Sequence, residues 1–213
     1  MSFLLNCYSE EWNYFKAKLR FRLLLAAAIF LISTVLFYIW FSQYPETAMK
    51  VVKYVGEQLR SKGFQGPYRF NTCLNIFVHN ATANLVIGIS GIIPFAFIPI
   101  WILLVTANVL GALISALQLK GISALQGIFL AVLPHAIFEL PATFYSTSIG
   151  ILICAECSRK LIRKQGMETR SLSIPNILKN TVRSYVLIIG PLLALAAAIE
   201  TFITPLLAKA LIR

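Results

Sequence analysis

Charge is what this sequence has least of. Of 213 residues, 13% are charged, where an ordinary soluble domain carries about 25%. Hydrophobic residues make up 58% of the chain and its mean hydropathy is +0.77. These values exclude an ordinary soluble globular domain and describe a single polytopic membrane domain, 1–213. Acidic residues are the scarcer sign, eight against 19 Lys and Arg, for a net charge of +11. In a membrane protein that excess collects at span ends and cytoplasmic loops, so it is no sign of nucleic-acid binding.

Motifs are missing as well. There is no His-Glu-x-x-His zinc run and no phosphate-cradling Walker sequence. No catalytic residue is therefore assigned, and an enzyme is not expected. Cys154-x-x-Cys157 has no second pair, and with Cys7 and Cys73 it reads as structural thiols. No cofactor and no metal are expected. No cleavable signal peptide is expected, because charged and aromatic residues precede a first apolar run long enough to span.

What is present is a series of long apolar runs. Residues 9–22 read as an amphipathic interfacial helix, with Ser9 as N-cap and Glu10 and Glu11 in its first turn. Spans follow at 23–41, 74–93, 98–117, 135–155 and 185–207. An amphiphilic helix and turn fill 42–72, where Gly63, Gly66 and Pro67 break the helical period. Residues 158–183 form the most basic loop, expected on the cytoplasmic side.

Within this apolar sequence stands Pro134-His135-Ala136-Ile137-Phe138-Glu139-Leu140-Pro141. Ionisable residues at membrane depth are costly and usually functional. His135 and Glu139 stand four apart, on one helical face. They could be a proton relay, a metal pair or an internal clamp. Glu200, His79, Asn80, Asn84 and Asn108 are the other intramembrane polar candidates, and Glu200 would reach His79, His135 or an Asn across an interface. A four-ligand set of His79, His135, Glu139 and Glu200 is conceivable and would need three spans to converge. Pro134 and Pro141 read as a hinge, and Gly111 and Gly150 as points of close packing.

The stretch 121–154 is too long for one ordinary span and too short for two. With a cytoplasmic N-terminus, five crossings bring the basic loop inside. The expected fold is an all-α polytopic bundle, with a re-entrant or broken helix near residues 121–141.

The run Val132-Leu133-Pro134-His135-Ala136-Ile137-Phe138-Glu139-Leu140-Pro141-Ala142, followed by Gly150, resembles the signature of the stage II sporulation protein M family. Asn80 and Asn84, Asn108-x-x-Gly111 and Ile199-Glu200-x-Phe202-x-x-Pro205 agree with it, and the resemblance covers about residues 70–210. Ala136 stands where the family usually has Gly. The resemblance implies a multi-pass cell-membrane protein without an established enzymatic activity. It also implies roles in circular bacteriocin export beside ABC-type ATPases, or as a scaffold in sporulation and cell-wall remodelling.

The expected function is thus the membrane subunit of an export complex, energised by a separate ABC-type ATPase bound through the 158–183 loop. The alternatives are a scaffold with an extracytoplasmic partner at 42–72, or an immunity protein against a membrane-active peptide. The expected partners are the lipid bilayer and, given the small size, a second copy in a homodimer.

Overall fold

A computed structural model describes residues 2–62, 68–162 and 174–209. Arg163, Lys164 and Arg170 of the expected basic loop lie outside them, as do Gly63, Gly66 and Pro67. Every regular element among the described residues is helical: α1 (Ser2–Tyr14), α2 (Arg20–Gln43), α3 (Pro45–Ser61), α4 (Phe70–Ser90) and α5 (Ile98–Leu119). These are followed by α6 (Ala124–Gly127), α7 (Leu133–Ile162), α8 (Ile174–Ser184), α9 (Gly190–Phe202) and α10 (Thr204–Lys209). Five helical runs are long and apolar enough to cross a membrane: Leu4–Gln43, Phe70–Ser90, Ile98–Leu119, Leu133–Ile162 and Pro175–Leu207. The chain is an all-α polytopic bundle.

Three π turns join the runs: Phe15–Leu19 between α1 and α2, Ile128–Val132 before α7, and Tyr185–Ile189 before α9. Two of them have a cause in sequence. Proline lacks an N–H and clashes with the carbonyl four residues earlier. For Pro134 and Pro191 that carbonyl belongs to Leu130 and Leu187, each inside a π turn. The wider turn lets Leu133 donate to the Ile128 carbonyl and Gly190 to that of Tyr185. The irregularity expected near 121–141 thus takes the form of a π turn, and the helix continues past Pro134.

The N-terminus differs from the sequence reading. Ser9 caps nothing, because α1 begins at Ser2, and α1 passes through the first π turn into α2 without a gap. The apolar stripe of the first span extends back through Leu19 and Tyr14 to Glu11, all buried.

α7 is the centre of the bundle. Of its most apolar window 61% is buried inside the protein, against 39% or less for the other spans. It packs against α2, α4 and α9. Paired contacts give directions: Phe77 and Ala81 pack with Ala142 and Tyr145, Gly88 lies beside Ser146 and Gly91, just past α4, meets Gly150, so α4 and α7 run parallel. Phe30 stacks edge-on against Phe144, and α2 runs on beside α5 through Leu103, Ala107 and Gly111.

Small residues set these distances, since lipid gives no hydrophobic drive to helix association. A Cβ at Gly91 would lie 2.1 Å from the Gly150 carbonyl oxygen, and one at Gly150 2.5 Å from Pro99 Cγ. At Gly111 it would lie 2.8 Å from the Tyr38 backbone nitrogen. The turn from α4 into α5 carries Phe95 and Phe97 at φ of 62° and 46°. Such conformations cost bulky residues about 1–3 kcal/mol unless held. Two bonds from α7 hold this turn: the Phe95 N–H donates to Ser158 Oγ at 2.9 Å, and the Cys154 thiol to the Ile93 carbonyl at 3.5 Å. All four cysteines are free.

α3 is amphipathic. Ala48 is buried with Phe41 and Ala112, Val51 and Val52 pack beside them, and Lys50, Lys53, Glu57 and Arg60 are exposed.

Candidate functional site

The helical period puts His135 and Glu139 on one face in the first turns of α7. Opposite them, the last turn of α9 presents Glu200. One ligand-type atom from each of the three lies within 4.8 Å of the others, and all three residues are half-buried. α9 stops at Phe202, and after Ile203 the chain restarts as α10 at Thr204. That break brings Thr204 Oγ1 to 3.4 Å from His135 Nδ1, while α10 packs on the π turn that precedes α7.

Neither Glu139 nor Glu200 has an ion pair or hydrogen bond with another described residue. Two carboxylates at this separation repel by about 3–4 kcal/mol at an effective dielectric of about 20. A proton or a cation must offset that repulsion.

The other sequence-predicted residues stand apart from this triad. His79 is not among the grouped side chains. The conceivable four-ligand set therefore reduces to three among the described residues. Asn84 is buried and donates from Nδ2 to the Asn80 carbonyl at 2.9 Å, within its own helix. Its Oδ1 has no hydrogen-bond partner among the described residues. Asn108 is half-buried on α5 and shares no hydrogen bond with the triad. Pro134 sits in the first turn of α7, Pro141 inside that helix, and Ala136 is buried in ordinary helical backbone.

A second polar centre escaped the sequence reading. Glu11 is 2% exposed and accepts three bonds: from Tyr145 Oη at 2.6 Å, Ser184 Oγ at 2.5 Å and Arg183 Nε at 2.8 Å. Arg183 Nη1 also donates to Glu10 Oε2 at 2.5 Å. Trp12, Phe15 and Tyr145 stack in sequence, with centroids 5.6 Å and 5.7 Å apart. Beside them lies a cavity of about 460 Å³ lined mainly by aromatic and aliphatic groups, among them Trp12, Phe15, Leu23, Pro141, Tyr145 and Leu192. The signal was there: Glu11, Phe15 and Leu19 continue the buried stripe of α2 at four-residue spacing. Reading Glu11 as a first-turn residue hid it.

Comparison with protein families decides the relationship. The family model described as Stage II sporulation protein M matches residues 26–205. This chain belongs to that family. The match covers α3 to α9 and most of α2, so His135, Glu139 and Glu200 lie within it while Glu11 lies before it. No curated protein and no solved structure matches the chain. A membrane protein of the Stage II sporulation protein M family, then, carries a His/Glu/Glu cluster across two spans and a carboxylate-centred lock at its N-terminal helix.

Proposed function

We propose that this family member is the membrane subunit of an export complex, energised by a separate ABC-type ATPase and moving a peptide or bacteriocin-like substrate. One observation carries the reading: α7 touches every working part. The triad stands on its first turns, the 460 Å³ cavity runs along Pro141 and Tyr145, and Tyr145 bonds Glu11 in the lock. That lock fastens α1 to the end of α8, the helix that follows the basic loop. In this reading the N-terminus is cytoplasmic, the 158–183 segment receives the ATPase, and a second copy completes the path. A push on α8 passes through Arg183 and Ser184 to Glu11, then to α7 and the triad. The chain supplies no energy of its own, which is why a partner is required.

A scaffold role is the second reading, and α3 favours it. Its exposed face of Lys50, Lys53, Glu57 and Arg60 offers a docking strip at 42–72 for an extracytoplasmic partner. Mild-detergent purification from native membranes separates the two. The transport reading predicts an ATPase in the purified fraction, lost when exposed Lys160 and Lys179 are both changed to Glu. Retention of a cell-wall partner alone, insensitive to those changes and lost on Lys50→Glu with Lys53→Glu, supports the scaffold instead.

A further inference from the structure

The triad has the donor set of a metal site, and its two carboxylates find no partner among the described residues. We propose that His135, Glu139 and Glu200 hold one first-row divalent cation of the zinc, cobalt or manganese class, with the remaining coordination positions open to water or a substrate group.

Four features point the same way. The donors are one imidazole nitrogen and two carboxylates, a mixed set suited to borderline cations. Calcium and magnesium take oxygen ligands in greater number. Ligands about 2.1 Å from one zinc ion stand up to roughly 3.5 Å apart, so a spread of 4.8 Å closes by rotating the two carboxylates. Charge balances too: two carboxylates and a divalent ion sum to zero, the cheapest arrangement for ionised groups at membrane depth.

The fourth feature lies outside the ligands. Metal-bound histidines almost always anchor their second ring nitrogen. Thr204 Oγ1 lies 3.4 Å from His135 Nδ1; in the tautomer protonated at Nδ1 it would accept from that N–H and leave the Nε2 lone pair for the ion. The break at Ile203 places ligand and anchor on either side of one turn, Glu200 before it and Thr204 after it. Three protein ligands with open positions describe an exchangeable site rather than a closed structural one.

In naming the ligand of the intramembrane cluster, the proposal rests on the transport reading for its use. Binding is measured on the subunit alone, with no ATPase present, so the two ideas fail separately. Tag-free full-length protein in detergent is stripped with a chelator, titrated with cobalt(II) and analysed by elemental mass spectrometry. The expected result is one equivalent per chain, with visible cobalt d–d bands that zinc abolishes. His135→Ala, Glu139→Gln and Glu200→Gln each weaken uptake at least tenfold, and His79→Ala leaves it unchanged. Should a ligand variant lose its fold by circular dichroism, Thr204→Val decides, with an expected loss of about ten- to a hundredfold. Wild-type uptake no greater than that of the His135→Ala/Glu200→Gln double variant would overturn the proposal. So would Thr204→Val binding cobalt as tightly as wild type.

Discussion

Glu11 accepts three bonds while 2% exposed, and Arg183 is itself largely covered, its side chain 15% exposed. Removing one partner of such a buried pair strands the other, a loss of about 3–5 kcal/mol that exceeds the net worth of the pair. Glu11→Ala is therefore expected to destabilise the protein by about 3 kcal/mol, read as a drop in thermal midpoint in detergent. Arg183→Ala on top of it should add little, because the guanidinium that has lost its buried partner and keeps only exposed Glu10 is then gone. A double-mutant cycle measures this: a coupling energy above about 1 kcal/mol is expected between the two positions. Simple additivity would mean that the lock is not a unit. The pair of Glu156 and Arg159, 2.7 Å apart, is a different case, since the Arg159 side chain is 65% exposed and solvent screens the bond.

At the scale of the element, composition and run length sufficed to read an all-α bundle with five long apolar runs. Two things were beyond that reading. Prolines normally suggest a break, yet Pro134 and Pro191 are absorbed by π turns upstream, where widening depends on what packs around the turn. The inward phase of α1 is set by its contact with α8, a partner 170 residues away that no local pattern reveals. The triad was half legible: the four-residue spacing of His135 and Glu139 could be read directly, while the choice of Glu200 over His79 needed the packing of α9 on α7.

Close helix contacts give the test at this scale. Gly91→Ala puts a methyl 2.1 Å from the Gly150 carbonyl oxygen, with backbone on both sides. It should cost about 1–3 kcal/mol as overpacking does. Gly56→Ala, with nothing within 4 Å, should be neutral or stabilise α3 by up to about 1 kcal/mol. Thermal midpoints of the two variants, measured in the same detergent, check the contrast.

Across the described residues, four apolar runs pack around a fifth, well-buried one, and most of the remaining apolar surface faces outward. The polar investments are few and lie apart: a lock on α1 and α8, and a triad on α7 and α9, with α7 common to both. A scaffold needs only the surface of such a bundle. A transporter needs the two centres to communicate. The most direct measurement is ATP turnover by the complex purified from native membranes, compared between wild type and Glu200→Gln. The account predicts that the substitution changes turnover at least threefold, although Glu200 lies in a membrane span, outside the 158–183 segment proposed to receive the ATPase. Unchanged turnover, or a purified complex without ATPase activity, would contradict it.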